Sequence, residues 1–111
     1  MAQWLNAQYR DFYDLPRMIV ARSELGTFLF YSRFEEATDE YSESYEVYRV
    51  PPLSGGDLAA SWEGLELRAL ERLSDLPVKD FPFDVARRAF LDYDSILPVL
   101  MGGGRSGAGE V

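Results

Sequence analysis

The sequence contains no cysteine and no histidine. Without cysteine there is no disulfide scaffold, no thiolate metal site and no cysteine nucleophile. Without histidine, Ser-His-Asp triads, histidine-liganded zinc and the usual general base near neutrality are excluded. Positive charge is scarce as well: 11 Lys and Arg stand against 19 Asp and Glu, for a formal net charge of −8. Such a surface repels phosphate backbones and anionic membranes, so the expectation is no direct nucleic-acid binding, no membrane binding and, if a partner exists, a basic protein. No apolar run approaches the roughly 20 residues of a membrane span. Met1-Ala2-Gln3-Trp4-Leu5-Asn6 lacks the basic start and apolar core of a signal peptide. The expected compartment is therefore the cytoplasm.

Apolar material is plentiful. Hydrophobic residues make up 47% of the 111 residues, with two Trp, seven Tyr and seven Phe. A chain of this size can bury one core without a metal or a disulfide. Residues 1–101 are expected to fold as one globular domain. From Gly102 onward the chain carries five of its nine glycines and reads as a flexible tail, 102–111.

Three strands are expected: Arg17–Arg22, Thr27–Tyr31 and Tyr45–Val50. The first two carry apolar residues on both faces, as in a sheet covered on both sides or strongly curled. Gly26 can supply a positive φ, so Ser23-Glu24-Leu25-Gly26 reads as a hairpin link. Ahead of them, Leu5, Tyr9 and Phe12 fall at helical spacing, which favours a short helix or loop before Pro16. Ser32-Arg33-Phe34-Glu35 matches a capping box, and Phe34, Ala37, Tyr41 and Tyr45 continue at helical spacing. A helix there would set Glu35 against Asp39 and Glu36 against Glu40, so a loop is the alternative.

Asp57 is a candidate N-cap for the main helix, whose face would be Leu58, Trp62, Leu65, Ala69 and Leu73. Gly64 weakens its middle, leaving Leu65–Leu73 as the firmer part. Val78–Phe83 reads as an edge strand, because Pro82 cannot donate to a ladder. Asp84 and Asp94 read as caps of short helical turns. The fold class expected from these elements is α+β: a small antiparallel sheet of 3–5 strands, open or curled towards a barrel, with one main helix and short flanking helices.

For function, the sharpest feature is Phe34–Tyr48, with six acidic residues and no basic one. It suggests a non-enzymatic interaction module that meets a basic partner through Glu35, Glu36, Asp39, Glu40, Tyr41 and Glu43. Tyr41, Tyr45 and Tyr48 would add contact area. The plain alternative is a solvated face over tyrosines that pack inward. A second reading is a ligand-binding protein or enzyme with a pocket at the Asp14 turn. There Asp11, Asp14, Arg17 and Tyr13 could serve as carboxylate, guanidinium and phenol groups. The bland reading of those residues is a capped turn with an exposed ion pair. A third is a homo-oligomer joined through an open sheet edge.

Catalytic and cofactor motifs are absent. There is no G-x-S-x-G, no G-x-G-x-x-G and no P-loop. Asp92-Tyr93-Asp94 is only a fragment of a calcium loop. Trp4 and Trp62 read as core. The expectation is no catalytic residue, no cofactor and no metal.

Overall fold

Strands that are apolar on both faces must be covered on both sides, and the chain meets that demand with a sheet between two cores. The computed structural model describes residues 2–102. Strands β1 (Asn6–Tyr13), β2 (Leu15–Ser23) and β3 (Gly26–Tyr31) form a meander. A small hairpin follows, β4 (Phe34–Glu35) with β5 (Glu40–Tyr41), and β6 (Ser44–Val50) returns beside β3. Next come α1 (Gly55–Ala59), β7 (Glu71–Arg72) and β8 (Leu76–Pro77), the two strands both pairing with β6. The hairpin β9 (Phe83–Asp84) and β10 (Ala89–Phe90) precedes the terminal α2 (Leu97–Leu100). All strand pairs are antiparallel. The main sheet runs β1-β2-β3-β6-β7 and does not close on itself.

The registers assign each side chain to a face. Tyr9, Ile19, Phe30 and Val47 lie opposite one another across four strands, as do Gln8, Val20, Leu29 and Tyr48 one step along. Directly opposed side chains share a face and successive ones alternate, so the two rows point to opposite sides. The first face carries Ile19, Ala21, Phe28, Phe30, Tyr45 and Val47 into a core closed by Leu73, Leu76, Phe81, Tyr93, Ile96 and Leu100. The second carries Met18, Val20, Leu29, Tyr48 and Val50 against Trp62 and Leu65. Phe30 is fully buried, with Phe81 at 4.8 Å edge-on and Trp4 at 6.2 Å. Burying such a ring is worth about 1.5–3 kcal/mol. At the β2–β3 turn Gly26 has φ 135°, and a Cβ there would lie 2.8 Å from Arg49 Nη1. That guanidinium group is held by Leu25 O at 2.8 Å and Glu71 Oε2 at 3.0 Å.

The expected α+β class with a main helix is overturned. What forms is mostly antiparallel sheet with short helical turns and no closed barrel. Residues 58–73 hold only the end of α1, a 3-10 turn, Leu65–Arg68, and the two-residue strand β7. The physical cause is that this segment rounds the sheet edge. Leu58, Trp62, Leu65 and Ala69 reach the second core, but Leu73 belongs to the first. Leu70 N and Leu73 N bond to Arg49 O and Val47 O of β6, which replaces a helical ladder with a sheet ladder. Gly64 sits at φ 82° at the break. Ser54, not Asp57, is the N-cap of α1; its hydroxyl accepts from Asp57 N while the Asp57 carboxylate accepts from Ser54 N, both at 3.0 Å.

Other local expectations also gave way to pairing. Residues 6–13 are a strand, because β2 offered a free edge, and Leu5 is left 58% exposed. The capping box at Ser32 does not form. Ser32 is fully buried, and its hydroxyl accepts from Arg17 Nη1 and donates to Ser42 O. The span 34–45 holds the β4–β5 hairpin in place of a helix or loop. Val78–Asp80 is a 3-10 turn and not a strand. Asp84 closes the β9–β10 turn by accepting from Arg87 N, and Asp94 accepts from Ala2 N rather than capping. The glycine-rich tail, from residue 103 on, lies outside the described residues. No helix among the described residues is long and apolar enough to cross a membrane.

Tyr45 ties β6 to the start of β2. It is 1% exposed, and its hydroxyl donates to Pro16 O at 2.6 Å. Burial pushes its phenol well above the ordinary tyrosine range. Tyr45→Phe should destabilise the fold by about 1–2 kcal/mol, since a buried carbonyl loses its donor. The effect should appear as a lower urea midpoint at unchanged slope. An unchanged midpoint would show that this bond carries no net stability.

Candidate functional site

The row after Gln8–Val20–Leu29–Tyr48 is Arg10, Met18, Tyr31 and Glu46. It shares the face of the second core but lies at its polar end. The cover over this face runs through Trp62 and Leu65, and a cavity of about 580 Å³ opens beside it. Its floor includes Met18 and Ser32. Arg10 and Asp11 of β1 and Arg17 of β2 line one side, Tyr31 and Arg33 the middle, and Trp62, Glu63 and Glu66 the covering segment. Phe34 and Tyr41, at the base of the β4–β5 hairpin, complete the wall.

Each of the three arginines lies over an aromatic ring. Arg10 is 4.4 Å from the centre of Trp62, Arg17 is 4.6 Å from Tyr41 and Arg33 is 4.7 Å from Tyr31. Such contacts contribute about 0.5–1 kcal/mol each at exposed sites and hold the guanidinium groups in place. Hydrogen bonds fix them further. Arg10 donates to Leu58 O and Ala60 O, which anchors the covering segment to β1. Arg17 donates to Tyr13 O at 3.1 Å and to Ser32 Oγ at 3.1 Å. Arg33 grips Glu46 with two bonds of 3.0 Å.

Several groups here carry shifted proton affinities. The Arg33 bonds, helped by the Tyr48 hydroxyl 2.6 Å from Oε1, hold the Glu46 carboxyl below its ordinary value despite its partial burial. Burial first, then donation to Glu46, pushes the Tyr48 phenol up to about 12. Burial also raises Tyr31; Arg33 offsets part of this, while Glu66, Glu46 and Asp11 add to it. Glu66 Oε2 lies 3.9 Å from Arg33 Nη2, and Glu66 Oε1 is buried with no hydrogen-bond partner. Asp11 adopts a left-handed backbone, φ 59°. That conformation is uncommon for a residue with a side chain, and Asp tolerates it better than most.

The acidic residues lie on the hairpin beyond this wall. Glu35 faces Glu40 across β4–β5. Glu36 and Asp39 occupy its turn, closed by Thr38 N to Glu35 O and Asp39 N to Glu36 O at 3.3 Å. These four and Glu43 are exposed, and none forms an ion pair with another described residue. Tyr41 is half-buried beneath them, with Phe34 at 5.1 Å and Tyr13 at 5.6 Å. Tyr45 and Tyr48 belong to the cores and offer no contact area. Of the residues at the Asp14 turn, Asp11 and Arg17 line the cavity. Asp14, at φ 68°, and the Tyr13 ring, 62% exposed, are not among its lining.

Arg33, Tyr31, Trp62 and Glu66 were not singled out as site residues by sequence reasoning. One signal for the arginines was available: the chain carries ten arginines and a single lysine. That bias favours planar stacking over point charge. Among the described residues no three acidic side chains gather in a metal-holding arrangement. No family model, curated protein or solved structure matches the chain.

Glu46 and Tyr48 give opposite pH dependences. A lowered carboxyl contributes stability that is present above its ordinary value of 4.5 and is lost as pH falls through its folded value. A raised phenol contributes stability that is present below 10.0 and is lost as pH rises through about 12. Glu46→Gln should therefore flatten the acid side of a plot of melting temperature against pH below 4.5. Tyr48→Phe should flatten the alkaline side between 10.0 and about 12. Profiles that run parallel to wild type would rule out the Arg33–Glu46–Tyr48 cluster as their source.

Proposed function

We propose that this protein is a cytoplasmic, non-enzymatic interaction module that docks its β4–β5 hairpin on a basic protein surface and does not bind nucleic acid directly. The observation that carries the reading is the charge on that hairpin and the short link after it. Glu35, Glu36, Asp39, Glu40 and Glu43 stand exposed with no cation paired to them, in a chain whose net charge is −8. Glu35 and Glu40 are directly opposed in register, an arrangement that destabilises a strand pair. A basic partner would relieve that repulsion on binding. Phe34, 43% exposed at the hairpin base, supplies apolar contact beside the charge. Five carboxylates elsewhere, Glu46, Asp57, Glu71, Asp75 and Asp84, are by contrast each bonded to an arginine.

Attraction of this kind steers association and weakens with salt, since the screening length is about 8 Å at physiological ionic strength. The test compares affinity capture from the native host by wild type and by the variant Glu35→Gln, Glu36→Gln, Asp39→Asn, Glu40→Gln. Wild type should retain a basic protein that elutes as salt rises, and the variant should lose it. The hairpin is a separate two-stranded unit and the variant removes the Glu35–Glu40 repulsion, so it should melt at or slightly above the wild-type temperature. Identical captured proteins from both forms would end the interaction reading.

A further inference from the structure

The two ends of the main sheet differ. One end is β7, two residues long; the other is β1, with eight. Short strands, lysines, prolines and bulges are the usual means by which an edge avoids pairing with another chain. Asn6–Arg10 has neither lysine nor proline, and its register with β2 runs without a bulge. Its one charged side chain, Arg10, is turned onto Trp62 and bonded to Leu58 O and Ala60 O. Every residue of β1 is exposed or half-exposed.

The neighbouring strands fix which backbone groups of β1 are free. Ser32 N donates to Arg17 O, so the odd-numbered residues of β2 turn their N–H and C=O towards β3. The even ones, Met18, Val20 and Arg22, turn towards β1 and face Arg10, Gln8 and Asn6. Ala7 and Tyr9 therefore turn their N–H and C=O outward, and no other described strand pairs with that side. Beyond them the edge is irregular. Asp11 is left-handed, φ 59°, and Leu5 N is committed to Arg22 O at 2.8 Å.

We propose that β1 pairs antiparallel with β1 of a second copy of this chain, across a two-fold axis at Gln8, to make one continuous sheet. Such an axis is perpendicular to the sheet and keeps each face with itself, so it must pass at a residue position. At Gln8 it sets Ala7 of each copy against Tyr9 of the other, and the paired hydrogen bonds use every outward donor and acceptor. An axis at Ala7 would set Tyr9 against Leu5, whose N–H is taken. An axis at Tyr9 would set Ala7 against the left-handed Asp11, and one at Arg10 would oppose two arginines.

The side chains fit the same register. Gln8 meets Gln8, and each amide can both donate and accept. Asn6 meets Arg10, so no like charges are opposed. Ala7 lines a recess of about 320 Å³ with Trp4, Phe90 and Leu91, and this small residue meets the large ring of Tyr9. A foreign strand would find the same backbone groups but not this self-match. Because the pairing consumes the outward groups of both copies, it closes at two.

The test is sedimentation of the full chain from about 10 µM to about 1 mM in about 0.15 M salt. The screening length there is about 8 Å, so distant carboxylates of the two copies hardly repel while directly opposed side chains still interact. Wild type should pass from monomer to dimer with a Kd of about 100 µM, weak because few residues pair. Gln8→Lys and Gln8→Glu should each weaken the dimer about tenfold, and their equimolar mixture should restore it, since position 8 meets itself only in this register. Gln8 is exposed, so both variants should keep the wild-type melting temperature. Amide exchange reads the same contact without a variant: Ala7 and Tyr9 N–H should slow as concentration rises, while Gln8 N–H, turned to β2, is slow throughout. A clean monomer at about 1 mM would overturn the proposal and leave the edge to a strand of another protein. A dimer that both variants leave intact, a mixture as weak as its components, or Ala7 and Tyr9 amides indifferent to concentration would overturn it too. None of these changes touches the β4–β5 hairpin, so pairing and docking stand or fall separately.

Discussion

The constraint on which this fold depends is that β2 and β3 are apolar on both faces. Ile19, Phe28 and Phe30 point one way while Val20 and Leu29 point the other, and all are buried. Apart from the strands that extend the sheet and the separate β4–β5 hairpin, most of the chain serves to cover one of those faces. The chain has little helix to spend on the task, so turns, two-residue strands and a few aromatic side chains do the covering. Trp4, Phe81 and Tyr93 close the first face, with Trp4 4.4 Å from Tyr93 and 6.0 Å from Phe81. Trp62 and Leu65 close the second. Large rings suit this role because each removes much apolar area for few ordered residues.

The cover on the second face stops short, and the cavity follows from that. Beyond the Val20–Leu29–Tyr48 row the sheet continues with Arg10, Tyr31 and Glu46, which need no apolar lid. The covering segment turns away at Gly64 and Glu66 to reach β7. What remains is a recess between sheet, cover and hairpin. Arginines stacked on rings line it because a guanidinium group is weakly hydrated enough to lie against an aromatic face. Charge is thereby sorted on a small molecule. The carboxylates of the β4–β5 hairpin project outward, while three of the arginines gather behind its base.

Several expectations failed for one reason. Leu58, Trp62, Leu65, Ala69 and Leu73 do sit at helical spacing, and most of them are at least partly buried. They do not share one core, since Leu73 lies across the sheet edge from Trp62. Leu5, Tyr9 and Phe12 also sit at helical spacing, yet the open edge of β2 made a strand of that stretch. The Ser32–Glu35 pattern matched a cap, but Ser32 went into the interior to bond Arg17 and Ser42. In each case a local pattern met a non-local hydrogen-bond partner that no window of sequence displays.

The central hairpin and β6 were legible in the amino-acid order, as was the acidic character of Phe34–Tyr48. Alternation of side chains and the placement of Gly26 are local properties, readable within a few residues. The missing chemistry of cysteine and histidine was legible too. Only the tertiary structure decided that residues 6–13 pair as a strand, that 58–73 round a sheet edge, and that Arg10, Arg17, Arg33 and Glu66 meet in one cavity. Those outcomes depend on strand register and on which face each cover reaches. Both are set by contacts between residues far apart in the chain, for which spacing along the sequence holds no measure.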